Sequence, residues 1–216
     1  MGSCNSGGKG EGEFLGRNSS VNPANIVNPT SLISAREGKQ TEVDEVLQTS
    51  KDILEDFGYV SDDMEIASFK GKDAGTLACF GGDQLTVNRA YFDKARMESA
   101  YADTVKQGFH PSQGNKTALQ AVVAHELGHG LTDVVGARMG AKGDSATAIL
   151  KEAQKSIGFK GSIGNMASKI SGYAQYNPRE AIAEAFSDVY CNGNKAHRES
   201  KAIVNVMKKY TKSGGN

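Results

Sequence analysis

The chain has 216 residues, of which 38% are hydrophobic and 23% are charged, so it is long enough for one medium-sized domain with a substantial core. Lys and Arg together number 25, as do Asp and Glu, which leaves a formal net charge of zero. This balance gives no electrostatic footprint for nucleic acid, and no nucleic-acid partner is expected. No apolar stretch approaches the roughly 20 residues that a membrane helix needs, and the first residues lack the apolar core of a secretory signal. We therefore expect a soluble chain without a membrane span or signal peptide, of unknown localisation.

The N-terminal part differs in composition from the rest of the chain. Residues 1–40 are rich in Gly, Ser and Asn and show no sustained apolar period, so we expect a flexible arm. The opening MGSCNS fits the loose N-myristoylation pattern at Gly2, but a Gly/Ser-rich tail explains the same residues and is the preferred interpretation. One domain is predicted over residues 41–212, followed by a disordered tail at 213–216.

Within that domain the hydrophobic pattern predicts an α+β fold with its strands gathered early. A first amphipathic helix is expected between Thr41 and Gly58. Runs with β character follow at 64–69, 76–80 and 85–88. Gly81, Gly82 and Asp83 between the last two are a hairpin signal, so we predict a small antiparallel sheet. A mixed segment extends from there to about residue 112. Helices are then predicted near 116–135 and 145–157, followed by a Gly-rich loop at 158–172 and by two further helices near 178–191 and 194–210.

The strongest predicted helix contains His125, Glu126 and His129 in the string H-E-x-x-H. At 3.6 residues per turn the two histidines lie one above the other, so both imidazoles can reach the same metal ion. Glu126 lies about 100° round the helix from His125, near enough to touch a water at the metal without binding the metal itself. That offset suits a general base. The alternative, two ordinary core or surface histidines, is disfavoured because the pattern is rare by chance and falls within a helix.

A catalytic zinc usually takes a third protein ligand, which must come from another element. The extended metzincin motif is absent, because it requires a glycine and a histidine where this chain has Thr132 and Val135. His110 and His197 remain as candidates. The first precedes Pro111 in an apparent loop and the second lies in a polar stretch, so both are expected to be solvated.

The favoured source of the third ligand is a helix that starts with Asn177 as its N-cap and Pro178 at its first position. Glu180 and Glu184 share one face of this helix, and like charges four residues apart repel unless a cation lies beside them. Two other interpretations stay open: Glu180 could complete a capping box with Asn177, and Glu184 could be exposed. Beside an H-E-x-x-H helix, we expect this helix to supply the third ligand and a carboxylate that orients a ligand histidine.

The strings HELGHGLTD at 125–133 and YAQYNPREAIAEAF at 173–186 resemble the gluzincin metallopeptidases. They are most similar to the branch of the anthrax lethal factor catalytic domain and the Pro-Pro endopeptidases, and similar zincin domains occur in proteins of phages and other mobile elements. In that branch H-E-x-x-H is followed by a tyrosine, six residues and then E-x-x-x-E-A-F. Here Tyr173 stands seven residues before Glu180, and the rest of the pattern follows in place.

The resemblance implies a zincin-like domain, with the small sheet packed on the H-E-x-x-H helix and a helical C-terminal part. It implies a Zn²⁺ ion held by His125, His129 and Glu180. It also implies Glu126 as general base, Tyr173 as hydroxyl donor to the oxyanion, and Glu184 as a residue that orients a ligand histidine. Taken alone, Tyr173 would more often be a packing residue with a wet hydroxyl.

The activity that the resemblance implies is that of a zinc-dependent endopeptidase acting on a protein or peptide substrate, with Glu126 activating the water at the zinc. In this family an edge strand holds the substrate antiparallel, which would assign that role to the run at 85–88; an ordinary hairpin strand is the alternative. Two other functions remain open. One is a non-catalytic, zinc-stabilised structural or interaction module, such as a phage or mobile-element component. The other is a toxin or effector enzyme whose arm, acylated at Gly2, reaches a host membrane.

Overall fold

The computed structural model describes residues 22–31, 39–58, 64–81 and 84–211. In chain order they form β1 (Ile26–Ser31), α1 (Gln40–Asp56), β2 (Met64–Phe69), β3 (Ala78–Gly81), β4 (Gln84–Asn88), α2 (Lys94–Lys106), α3 (Ala118–Arg138), α4 (Ser145–Ser156), α5 (Ile163–Ala167), α6 (Pro178–Asn192) and α7 (Arg198–Thr211). Short 3-10 turns lie at Pro23–Asn25, Gly71–Asp73, Arg89–Tyr91, Tyr173–Gln175 and Gly193–Lys195. The predicted α+β class is confirmed. Among the described residues, no helix combines the length and the apolar character needed to cross a membrane.

The four strands form one mixed sheet in the order β1-β2-β4-β3. β3 and β4 pair antiparallel, as the hairpin signal predicts, with Phe80 opposite Leu85. The turn residues at 82–83 lie outside the described part of the chain. β2 and β4, however, run parallel, with Ile66 opposite Val87. The prediction of an antiparallel sheet is therefore wrong at its centre, because a hairpin determines the relative direction of only its own two strands.

The sheet order also corrects the expected edge strand. β4, the run at 85–88, lies between β2 and β3 and has a hydrogen-bonded neighbour on each side. β3 ends the order of the described strands, and it is the ring of Phe80 in β3 that packs on α3 beside Gly130. The prediction that the run at 85–88 is an edge strand is wrong.

Part of the expected flexible arm is a strand. Residues 26–31 form β1, which pairs antiparallel with β2. The carboxylate of Asp73, which is buried, anchors the start of this segment by accepting hydrogen bonds from the backbone N–H of Asn22 and the side chain of Asn25, at 3.0 and 2.9 Å. These partners are distant in sequence, so local composition does not reveal them. Residues 1–21, with Gly2, and the predicted tail at 213–216 lie outside the described residues.

Two helical segments were not anticipated. α2 occupies much of the segment interpreted as mixed; Asp93 caps it by accepting from the backbone N–H of Arg96 at 3.2 Å, and Met97 and Tyr101 are buried. The expected Gly-rich loop contains the short helix α5, which begins with Ser162 and Asn165 in a reciprocal capping box. In both cases a polar cap starts the helix and packing holds it.

α3 is the central element of the core. Thr117 and Gln120 form a capping box at its start, and every residue from Ala118 to Gly136 except Gln120 and Asp133 is buried. Over this stretch α3 is therefore buried on all of its faces, including the one that carries His125 and His129. α1, α2, α4, α6, α7 and the sheet all contact α3. A helix buried on all sides needs apolar or small residues on every face.

Two glycines let other elements approach the α3 backbone closely. A Cβ atom at Gly128 would lie 3.0 Å from the Cα of Ala183 and 3.0 Å from the Cβ of Phe186, both in α6. A Cβ atom at Gly130 would lie 2.8 Å from the ring of Phe80 in β3. The string H-E-L-G-H-G thus places its small residues where α6 and β3 cross the helix.

Gly128→Ala should lower the free energy of unfolding by about 1–2 kcal/mol, because overpacking against the α6 backbone exceeds the gain in helix propensity. Denaturant unfolding measures the effect. Gly75→Ala is the matched control, since a Cβ atom there meets nothing within 4 Å. Equal stability of the two variants would contradict the close approach of the helices.

Candidate metal centre

Three side chains from two helices converge at the side of α3. The Nε2 atoms of His125 and His129 lie 3.2 Å apart, and each lies 3.2 Å from Oε2 of Glu180 in α6. The three atoms thus form an equilateral triangle, and all three residues are buried. Three corners of a tetrahedron with this edge lie about 2.0 Å from its centre, a distance typical of zinc bonds to imidazole nitrogen and carboxylate oxygen. The group could hold one metal ion.

The start of α6 aims Glu180 at this point. The side chain of Asn177 accepts hydrogen bonds from the backbone N–H groups of Arg179 and Glu180, at 2.9 and 3.0 Å, and Pro178 occupies the first helical position. Asn177 therefore caps the helix without help from the Glu180 carboxylate, which lies between the two imidazoles instead. The capping-box interpretation of Glu180 is not the arrangement in the structure.

Glu184 connects a histidine of the triangle to two other segments. Its Oε1 lies 2.8 Å from Nδ1 of His125 and 2.8 Å from Nδ1 of His110, and its Oε2 accepts a hydrogen bond from the Ser171 hydroxyl at 2.7 Å. An ionised carboxylate only accepts, so Nδ1 of His110 donates its proton, while Nδ1 of His125 faces the same oxygen at ion-pair distance. A neutral His125 with its proton on Nδ1, the nitrogen that faces Glu184, has a lone pair on Nε2, the atom that faces the triangle.

The environment of Glu184 keeps it ionised. Burial by itself raises the pKa of this carboxyl, but the charges and hydrogen bonds of His110 and His125 outweigh burial and lower the pKa to about 2. The alternative in which Glu184 is exposed is wrong, since its side chain is fully buried.

Glu126 lies next to His125 on α3 and is 0% exposed. Neither of its carboxylate oxygens has a hydrogen-bond partner within the described part of the chain. Burial raises the pKa of Glu126, against the opposing influence of His125 and His129. A buried carboxylate without a partner is costly, and one with a raised pKa is suited to accepting a proton near neutral pH.

Tyr173 lies in the 3-10 turn before α6 and is buried. Its ring stacks on His125, with centroids 6.0 Å apart and planes 23° apart, and its backbone N–H donates to the Phe109 carbonyl at 2.9 Å. Burial, followed by the negative charges of Glu180 and Glu126, raises the pKa of the phenol. The hydroxyl therefore keeps its proton and can donate it in a hydrogen bond. The ring of Tyr173 is thus buried beside a ligand candidate, and the role of its hydroxyl as a donor to the oxyanion stays a prediction.

His110 belongs to this centre, and the prediction that it is solvated is wrong: it is only 4% exposed and pairs with Glu184. Pro111 and the surrounding polar residues indicated a loop, which is correct, but a loop that packs beneath α6 leaves no local signal. His197, also expected to be solvated, has a side chain that is 48% exposed, and its Nδ1 lies 2.9 Å from Oδ2 of Asp188, outside the group of ligand candidates.

An ion pair joins α6 to α3 next to the candidate ligands. The two terminal nitrogens of Arg179 donate to the two carboxylate oxygens of Asp133 at 2.8 and 2.7 Å, and one also approaches the backbone oxygen of His129 at 3.4 Å. Arg179 precedes Glu180, and Asp133 lies one turn after His129. This two-bond geometry is stronger than a single ion pair and sets the angle between the helices. Because the two residues are far apart in the sequence, no local pattern predicts this pair.

No protein-family model matches the chain, and no curated protein or solved structure is significantly similar to it.

Asp133→Asn should lower the free energy of unfolding by about 1–2 kcal/mol, because a two-bond, partly buried pair loses its charge. Asp56→Asn is the control: it removes the charge from an exposed pair with Lys208 and should change stability by less than about 0.5 kcal/mol. Denaturant unfolding at low and high salt measures both. Equal losses for the two variants would show that the Arg179 contact has no special role.

Proposed function

We propose that this chain is a zinc-dependent endopeptidase that hydrolyses peptide bonds of a protein or peptide substrate. The observation that carries the proposal is the triangle of His125 Nε2, His129 Nε2 and Glu180 Oε2, with edges of 3.2 Å. Two imidazoles and one carboxylate form a donor set of catalytic zinc sites, which keep a fourth position for water or substrate. Magnesium and calcium prefer oxygen ligands throughout, so the two nitrogens favour zinc over either.

The hydrogen-bonding state of the centre supports the proposal. Oε2 of Glu180 and both carboxylate oxygens of Glu126 are buried without a hydrogen-bond partner among the described residues. Native proteins rarely leave such atoms unsatisfied, and a cation with an associated water is one way to satisfy them. The residues present thus fit the group that the proposal requires.

A zinc ion at this position would supply a Lewis acid that acidifies a water molecule and polarises the scissile carbonyl. Glu126 takes the proton from the attacking water and passes it to the leaving amine. Tyr173 donates a hydrogen bond to the developing oxyanion of the substrate. Glu184 holds His125 in the tautomer that presents its Nε2 lone pair. In this proposal the ionised carboxylate of Glu126 accepts a proton, and the protonated hydroxyl of Tyr173 donates a hydrogen bond.

The resemblance of 125–133 and 173–186 to the gluzincins supports the same assignment, because the residues that it singles out lie together here. His125, His129 and Glu180 form the triangle, and the rings of Tyr173 and His125 stack. A substrate that pairs with the sheet would add to β3, which ends the order of the described strands.

A non-catalytic zinc module is the second function to weigh. Structural zinc sites have four protein ligands, whereas the group found among the described residues has three. Such a module also has no use for an unpartnered buried carboxylate such as Glu126, whose cost would only reduce stability. These two observations favour the catalytic proposal.

Incubation of the zinc-loaded protein with a peptide library, followed by mass spectrometry, tests the function. We expect cleavage at a restricted set of bonds, loss of cleavage in a chelator, and its return when zinc is added. Cleavage that persists after complete removal of metal would refute zinc chemistry, and a zinc-loaded protein that cleaves no peptide in a diverse library would favour the structural module.

Glu126→Gln should lower the rate of cleavage by about 10²–10⁴-fold while one zinc per chain is retained, since the amide cannot accept the proton from water. Glu55→Gln, at an exposed position of α1, is the control and should cleave at the wild-type rate. Zinc content is measured on the same samples by metal analysis. A Glu126→Gln protein with wild-type turnover would exclude this residue as the base.

The acid limb of the kcat/KM profile should lie above pH 4.5, which is the ordinary pKa of a glutamate side chain, because burial raises the pKa of Glu126. The mechanism needs the carboxylate, so activity is present above the raised pKa and is lost as the pH falls through it. Rates are measured from about pH 4 to pH 9, with zinc content determined at each pH to separate protonation of Glu126 from loss of metal. An acid limb at or below 4.5 would contradict the assignment.

A further inference from the structure

His110 belongs to the loop between α2 and α3, has no role in the proposed mechanism and packs beside the candidate metal centre. Its Nδ1 lies 2.8 Å from Oε1 of Glu184, and the same oxygen lies 2.8 Å from Nδ1 of His125. The rings of His110 and His125 are 6.1 Å apart at a steep angle. The polar link between them therefore runs through Glu184.

The Glu184 carboxylate has three partners from three segments. Ser171 donates to it from the turn before α6, His110 donates to it from the loop between α2 and α3, and Nδ1 of His125 in α3 lies 2.8 Å from it. Without His110, the only partner of Oε1 is the His125 ring that it is supposed to orient. The carboxylate could then rotate about its last bond, and its hold on the His125 ring would loosen.

The His110 ring is itself held rigidly. It stacks on Tyr101 with centroids 5.6 Å apart and planes 12° apart, and the Tyr101 hydroxyl donates to the Pro111 carbonyl at 3.1 Å. Two backbone bonds tie this loop to the turn before α6, from Gly172 N–H to the Gly108 carbonyl and from Tyr173 N–H to the Phe109 carbonyl, each 2.9 Å.

His110 also contacts the residue proposed to bind the oxyanion. Its ring packs edge-on against that of Tyr173, with centroids 5.2 Å apart. We propose that His110 is a positioning residue: it fixes Glu184, and through it the Nε2 atom of His125, in the orientation that binds metal, and it supports the ring of Tyr173. The part that concerns Tyr173 rests on the proposed function, whereas the part that concerns metal binding does not.

A second histidine–carboxylate pair on α6 provides a matched control. Nδ1 of His197 lies 2.9 Å from Oδ2 of Asp188, one turn after Glu184. Asp188 is buried, like Glu184, but its other oxygen accepts from Asn192 instead of touching a candidate ligand. The two pairs therefore have the same chemistry on the same helix and differ in their connection to the metal centre.

Two substitutions separate hydrogen bonding from packing at position 110. His110→Phe keeps an aromatic ring and removes the donor, and His110→Asn loses the ring but places an amide N–H close to the position of Nδ1. Zinc affinity is measured for the purified full chain by competition with a chromophoric chelator, and folding is monitored by thermal unfolding of the metal-free protein.

We expect His110→Phe to weaken zinc binding by about 10–100-fold, the range for loss of a group that orients a ligand. His110→Asn should stay within a few-fold of wild type, and His197→Phe should leave affinity unchanged. On a cleaved peptide, His110→Phe should lower kcat more than it changes KM. Wild-type zinc affinity in His110→Phe, or an affinity in His110→Asn as low as in His110→Phe, would overturn the inference.

If His110→Phe does not fold, His110→Gln replaces it, because its amide lies closer to the position of Nε2 than to that of Nδ1. A Gln variant that binds zinc as tightly as the Asn variant would then refute the positioning role. The proposed function fails separately: a wild-type chain that cleaves no peptide, with a His110→Phe variant that binds zinc more weakly, removes the peptidase and leaves this inference standing.

Discussion

The close approach of α6 to α3 is the constraint on which the rest of the structure depends. The side chains of His125, His129 and Glu180 can meet around one point only if α3 and α6 pack closely. Gly128 makes this close packing possible, because it has no side chain between the two helices. The Ser187 hydroxyl donates to the backbone oxygen of Ala121 at one end of the interface, and Arg179 binds Asp133 at the other. Polar contacts at both ends and a glycine between them set the distance and the angle together.

That geometry concentrates charge in the core. Three carboxylates, Glu126, Glu180 and Glu184, are buried near three imidazoles, a combination that is costly unless the groups neutralise one another. Glu184 accepts from His110 and Ser171 and lies 2.8 Å from Nδ1 of His125, whereas Oε2 of Glu180 and both carboxylate oxygens of Glu126 have no hydrogen-bond partner among the described residues. Stability and metal binding are therefore coupled in our interpretation, because a bound cation relieves a cost that folding has already incurred.

The contacts of Glu184 explain how separate segments act as one centre. Its carboxylate joins α3, the loop that precedes α3 and the turn that precedes α6, through His125, His110 and Ser171. The same loop and turn are tied by backbone bonds at Tyr173. A group that orients a candidate ligand is effective only when it is itself held, and here each partner of Glu184 belongs to an element with independent packing.

Local patterns determined much of this protein from sequence: the alignment of His125 with His129, the start of α6 at Asn177 and the pairing of β3 with β4. Each depends on residues a few positions apart, where helical period, capping and turn chemistry act. Tertiary structure alone decided the parallel pairing of β2 with β4, the strand in the presumed arm, the burial of His110 and the partnership of Arg179 with Asp133. These depend on segments far apart in the chain, whose meeting is set by packing of the whole core and leaves no period or motif to read.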